Sequence, residues 1–294
     1  MEKEIPYWMQ VFYHIRIKNQ DCIDPMKEVT VFRTRWNFKA LLISHLFAFC
    51  WLGFFLTDTG FAFWRSIDRN VFFILNGTLS EPDNWTRFWA WANVRIFDMI
   101  PLLIMLASLI FPGMGIKRDR LQQAIIGFIL LLVLMFPIRE SVYEYARAIG
   151  LSGKSPSILL EPAYRFSEIV PDIKGAKDSA GHSFPGDHAA VVLTWAGFMM
   201  LNARSWLSLS ALFLALAFMT PRVLGGAHWA SDNFVGGAFS AIVTLSWAFC
   251  TPILHWATNS VHRMLRPLIQ LISKVPLLNK LPVLQSQEDK AENK

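Results

Sequence analysis

Six stretches of this chain are apolar almost throughout: about Phe38–Thr57, Val94–Phe111, Gln122–Ile138, His188–Ala203, Trp206–Thr220, and from past Asp232 to about Trp256. Each approaches the roughly 20 apolar residues that a bilayer-crossing helix needs. Phe61–Leu75 differs. Arg65, Asp68 and Arg69 interrupt it, while Phe61, Trp64, Val71, Phe72 and Leu75 recur at roughly helical spacing. That pattern predicts an amphipathic helix lying on the membrane surface. Trp85, Trp89 and Trp91 read as an interfacial aromatic belt.

The polar connections alternate in length. Pro112–Arg120 and the turn at Arg204 are short, whereas Arg139–Asp187 is long and Arg222–Asp232 lies between two apolar runs. The basic N-terminal segment is too charged for a signal peptide and carries an expected interfacial helix near Tyr7–Ile17. A second amphipathic helix is expected at Val261–Lys274, and Gln285–Lys294 reads as disordered.

Composition agrees with this pattern. The chain is 53% hydrophobic and 17% charged, against about a quarter charged in soluble domains. The expected fold is an all-α polytopic membrane bundle: six transmembrane helices plus interfacial amphipathic helices. Residues 1–36 form a cytoplasmic segment, 37–256 the membrane domain and 257–294 a basic cytoplasmic tail. With six spans both termini share a side. That side, Lys39 included, carries 17 of the 28 Lys and Arg residues, so the termini are expected in the cytoplasm. The same bias accounts for the net charge of +6 and leaves no basis for nucleic-acid binding. Cys22, Cys50 and Cys250 show no metal-ligand or disulfide spacing. No metal and no cofactor is expected. His45 reads as a bundle-paired histidine, Met105, Met114 and Met135 as filler, and Asn76 and Asn84 as chance sequons.

The chemistry gathers at the ends of apolar runs, where charge is costly. Arg222 precedes His228 by six positions and His228 precedes Asp232 by four. If a helix begins near His228, the last two share a face. A carboxylate on one imidazole nitrogen fixes the tautomer and makes the other basic, which suits a nucleophile. Arg222 offers a planar fork for phosphoryl oxygens. His188 follows Pro185-Gly186-Asp187 at a helix start, where free N–H groups bind anions. Gly186 would let that backbone approach a phosphate, and His188 would act as general acid. Lys154 and Arg165, in the long loop with Glu161-Pro162, are further phosphate-ligand candidates. Asp187 reads first as a helix N-cap and Glu161 as half of an ion pair. These are the parts of phosphoryl transfer through a phosphohistidine.

At these residues the chain resembles the type-2 phosphatidic acid phosphatase superfamily, whose members show KxxxxxxRP, PSGH and SRxxxxxHxxxD in this order. The third motif matches as Arg222, His228 and Asp232, with Pro221 for the leading Ser. The second departs: Phe-Pro-Gly-Asp-His ends on His188, with Gly186 in place of the phosphate-binding Ser. In the first, Lys154 is present, Glu161 stands where Arg is expected, and Arg165 one turn later is the substitute. The resemblance implies His228 as nucleophile, Asp232 as its orienting partner, His188 as acid and Arg222 as phosphate ligand. The Phe-Pro-Gly-Asp-His variant is more similar to the lipid A phosphotransferase branch. Those enzymes transfer phosphate from undecaprenyl diphosphate to lipid A at the periplasmic face of the bacterial inner membrane.

Three functions compete on sequence alone. The first is phosphoryl transfer from a polyprenyl diphosphate to a lipid phosphate. The second is hydrolysis of undecaprenyl diphosphate, phosphatidic acid, phosphatidylglycerophosphate or lipid A phosphate by the same intermediate. The third is a lipid transporter with a relic motif. A haloperoxidase shares the constellation but is usually soluble. The expected partners are membrane lipid substrates; the sequence does not name an oligomeric state.

Overall fold

The computed structural model describes residues 30–110, 116, 120–203, 205–276 and 278–285. The expected helix at Tyr7–Ile17, Cys22, most of the Pro112–Arg120 loop and nearly all of Gln285–Lys294 lie outside these residues. Within them the fold is helical: α1 (Phe38–Leu56), α2 (Asp58–Asn76), α3 (Asn84–Ala92), α4 (Met99–Ile110), α5 (Leu121–Ala148), the single turns α6 (Pro156–Leu159) and α7 (Phe166–Ile169), α8 (Asp187–Asn202), α9 (Ser205–Leu224), α10 (Ala238–Cys250), α11 (Ile253–Ile272) and α12 (Pro282–Gln285). A 3₁₀ turn, Arg95–Asp98, leads into α4, and a π-helical turn, Asp232–Gly237, leads into α10.

Three of these are long and apolar enough to cross a membrane among the described residues: Phe38–Leu56, Leu121–Ala148 and Asp232–Cys250. Leu209–Leu224 is a shorter apolar helix. The outer face of α1 exposes Phe38, Leu42, Ile43, Leu46, Phe47 and Phe49, an apolar surface far larger than a water-facing helix carries.

Several boundaries differ from expectation. The apolar run at 94–111 contains a helix of only 12 residues, about 18 Å long at 1.5 Å per residue. Its first residues are held in the 3₁₀ turn by contacts described below. The helix expected to stop at Ile138 continues to Ala148, with Pro137 inside it. Arg139 and Glu140 pair at 3.0 Å along its side, so charge ended the apolar run without ending the helix. The fifth run extends through Pro221 to Leu224, placing Arg222 on a helical turn instead of in a loop. The sixth ends at Cys250, and Trp256 belongs to α11, which starts eight residues before the expected Val261. Cys50 is exposed on α1 and Cys250 half-buried, both as free thiols. His45 bonds Leu41 O at 2.9 Å within α1.

The bundle is built around α8. Trp195, Phe198 and Met199 are buried against Leu121 and Leu131 of α5, Ala211, Ala215 and Met219 of α9, and Ala248 of α10. Trp195 donates its indole N–H to Ser108 Oγ of α4 at 3.1 Å. A second cluster joins Leu52 and Phe55 of α1 to Trp64, Val142, Phe184 and Phe239. A third, with Leu79, Ala90, Phe166, Val170 and Leu224, underlies the long loop. The backbone N–H of Asn37, before α1, bonds Cys250 O at the end of α10 at 2.8 Å. The chain therefore enters α1 at the end of the bundle opposite Asp232.

Glycine sets how closely α10 approaches α8. A Cβ on Gly237 would lie 2.6 Å from Ala189 Cβ and 3.1 Å from Ala190 N, contacts with no flexible side chain to yield. Gly237→Ala is therefore expected to cost about 1–3 kcal/mol, read as a lower midpoint of thermal unfolding in detergent. Gly53→Ala, which meets nothing within 4 Å, should leave that midpoint unchanged or higher.

Candidate active site

Three chain segments meet at one end of the bundle: the last turn of α9, the loop and π turn before α10, and the first turn of α8. What joins the last two is the backbone. Gly186 donates its N–H to Asp232 O at 2.9 Å. A Cβ on Gly186 would stand 2.3 Å from Asn233 Oδ1 and 3.2 Å from Asp232 O. The absence of a side chain thus lets α8 dock on the start of α10. This differs from the expected use of Gly186 as an anion-binding backbone, because its N–H is already taken.

His228 lies in the loop and is 4% exposed. Its Nδ1 faces Ser183 O at 2.9 Å and Asp232 Oδ2 at 3.4 Å. Both are acceptors, so Nδ1 carries a proton, and in the neutral ring Nε2 holds the lone pair. Nε2 is buried and makes no hydrogen bond. The sequence expectation was that Asp232 alone would orient the ring across one helical turn. In the structure His228 precedes the helix, and the Ser183 carbonyl is the closer partner. Asp232 Oδ2 also accepts the Trp229 backbone N–H at 2.8 Å, closing the loop on itself.

Asp187 is not the N-cap; Gly186 holds that position. Its Oδ1 stands 2.9 Å from His188 Nδ1 and 3.6 Å from His228 Nε2. The two imidazoles, 40 positions apart in the chain, therefore face one carboxylate oxygen. On its other edge His188 Nε2 lies 3.1 Å from Asp98 Oδ2 and 3.4 Å from Arg222 Nη2. Arg222 is 4% exposed. Its Nη2 donates to Asp98 Oδ1 and Oδ2 at 3.1 and 2.9 Å, and its Nη1 to Asn93 O at 2.8 Å. Asp98 was not singled out from sequence. The available signal was a carboxylate inside an otherwise apolar run, which is costly unless paired or functional.

The long-loop residues are placed differently. Lys154 is exposed, and its contribution at the site is its carbonyl, which accepts the Trp229 indole N–H at 3.1 Å. Arg165 donates to Ser157 O through Nε at 3.1 Å and pairs with Glu168 at 2.8 Å and Glu161 at 3.9 Å. The structure does not bring Arg165 to His228, and Glu161 forms the ion pair expected of it.

His228 has a shifted ionisation. Burial alone would lower its pKa, but the carboxylates of Asp187 and Asp232 outweigh burial and hold it up at about 9. The folded value lies above the unfolded one, near 6.5. This contribution to stability is thus fully present below about pH 6.5 and is lost as pH rises through about 9. The unfolding midpoint should accordingly fall between pH 6.5 and 9.5. Asp187→Asn should flatten that fall; an unchanged slope would exclude Asp187 as the cause. Gly186→Ser, which restores the residue type of the related motif, is expected to overpack against Asn233 and cost about 1–3 kcal/mol, again read as a lower midpoint.

Comparison with known proteins bears on the same residues. Residues 154–259, which contain every side chain of the site except Asp98, match the model of the PAP2 superfamily. Over 198 residues the chain is 31% identical to the lipid A 1-diphosphate synthase of Escherichia coli (strain K12), covering 65% of this chain and 78% of that protein. No solved structure matches. With a helical fold and membrane-length apolar helices among the described residues and these two matches, the chain belongs to the PAP2 superfamily of membrane lipid phosphatases and phosphotransferases.

Proposed function

We propose that the chain moves a phosphoryl group from a polyprenyl diphosphate, such as undecaprenyl diphosphate, to a lipid phosphate such as lipid A, through a phosphohistidine on His228. The observation that carries this reading is the buried, unbonded Nε2 of His228, 3.6 Å from the Asp187 carboxylate that it shares with His188, which in turn meets Arg222. The similarity to a lipid A 1-diphosphate synthase favours lipid A as acceptor.

In this reading the neutral form of His228 attacks the terminal phosphorus of the diphosphate through Nε2. A P–N bond forms, the bridging P–O bond breaks, and polyprenyl phosphate leaves with its electron pair, protonated by His188. A phosphate oxygen of the acceptor then attacks the same phosphorus, its proton passing back to His188, the P–N bond breaks and the imidazole is regenerated. Arg222 and His188 neutralise charge on the equatorial oxygens, which take the donors Asp98 holds in the resting chain. Lys154 is a second phosphate ligand once lipid is present; Arg165 acts through the loop it braces. Gly186 contributes through the close approach of α8, and no metal takes part.

The proposed topology has six spans: α1, α4, α5, α8, α9 and α10. The termini lie in the cytoplasm and the site at the periplasmic face of a bacterial inner membrane. The contact between Asn37 and Cys250 supports this, because it sets the entry to α1 and the site at opposite ends.

The test uses purified protein and polyprenyl diphosphate labelled in the terminal phosphate. Acid-labile label should appear on His228 and pass to added lipid A. His228→Ala should abolish both and lower turnover by about 10³-fold or more, with insertion intact. Free phosphate released at the same rate without acceptor would make the chain a lipid phosphatase. Undiminished lipid movement in His228→Ala would favour the transporter.

A further inference from the structure

The stretch within α2 was expected to form an amphipathic helix lying on the membrane surface. Its buried stripe is in fact mixed: Trp64, Asp68, Phe72 and Asn76. Together with Arg65, these residues meet the catalytic loop almost position by position. Asn76 Nδ2 donates to Leu224 O at 3.1 Å, just after Arg222. Phe72 lies against Gly226, where an added Cβ would come within 3.0 Å of its ring. Gly226 has φ +78°, a conformation that favours glycine. The Arg65 guanidinium sits over the Trp229 ring at 4.4 Å. Asp68, 1% exposed, accepts the Ser231 N–H through Oδ1 at 2.8 Å and the Ser231 hydroxyl through Oδ2 at 2.7 Å.

Ser231 stands between His228 and Asp232. Its N–H belongs to the first turn before α10, where backbone donors lack helical partners. A buried carboxylate with both oxygens on one residue is costly unless those bonds are made, and Arg65 Nη1 at 3.6 Å supplies only part of the compensation. From this geometry we infer that Asp68 is a positioning residue for the phosphate-accepting imidazole: by gripping Ser231 from α2 it fixes the loop that sets Nε2 of His228. The role assigned to Nε2 rests on the function proposed above; the clamp itself does not. The interfacial helix is then a splint along residues 224–231, not only a surface anchor.

Two readouts test this. The first is the single-turnover rate of phosphohistidine formation, which does not depend on the fraction of protein folded. Asp68→Ala should slow it about 30-fold or more, since small misplacements of a reacting group cost up to about 100-fold, and Ser231→Ala should slow it less. Asp68→Asn should recover most of the loss, because its carbonyl still accepts from Ser231 N–H and its amide donates to the hydroxyl. The second is acylation of His228 by diethyl pyrocarbonate, located by mass spectrometry. It should be slow in the parent protein and at least several-fold faster in Asp68→Ala and Ser231→Ala. Parent-like rates in both readouts, for either variant, overturn the inference. If the parent forms no phosphohistidine, the proposed function falls, and the acylation rates alone decide for or against Asp68.

Discussion

An imidazole sealed from water with one nitrogen bound and the other left bare is the constraint on which this structure turns. Leaving a buried polar atom unpaired costs about 1–3 kcal/mol, and here the atom is Nε2 of His228. Such an atom persists only where the surroundings allow no alternative. The ring cannot turn without losing Ser183 O and Asp232. The loop cannot shift without losing the Trp229 N–H bond to Asp232 or the Ser231 bonds to Asp68. The backbone of α8 cannot withdraw without breaking Gly186 N–H to Asp232 O. Each of these holds the same nitrogen in the same place, and each comes from a different part of the chain.

Charge around that nitrogen is balanced in a way that suits an arriving anion. Arg222 is buried and needs acceptors, which Asp98 and Asn93 supply. His188 is bracketed by Asp187 and Asp98. In the resting chain, carboxylate oxygens thus occupy directions from which phosphoryl oxygens would approach. A phosphoryl group brings at least as much negative charge as one carboxylate, and its oxygens can address Arg222 and His188 together. Exchange of one anion for another leaves no cation stranded in a low-dielectric site, where uncompensated charge is most expensive.

The sequence carried proximity where it depends on spacing within one segment. Arg222, His228 and Asp232 could be read together, and Pro185-Gly186-Asp187 pointed to the helix start that carries His188. It failed where a function is performed by a backbone atom or by a residue whose partner is remote. The Ser183 carbonyl has no sequence signature. Asp98 sits 124 positions from Arg222 and Asp68 163 positions from Ser231; Asp98 was not singled out, and Asp68 looked like an interruption in an apolar pattern. The helix boundaries failed for a related reason. Arg139 and Arg222 lie on helices whose polar ends are paired, so polarity marked the edge of an apolar run and not the end of a helix. Arg165 failed in the opposite sense: its spacing suggested a motif, but a nearby carbonyl and two carboxylates claim it.

The departures of the second motif, Gly186 and Asp187, do not dismantle the site. A serine at position 186 would add a hydroxyl near the phosphate but would collide with Asn233; glycine gives up that hydroxyl and gains the close docking of two helix starts. Asp187, which follows, places a carboxylate between both histidines where the related motif has none. It raises the basicity of His228 while Nε2 remains free of a hydrogen bond.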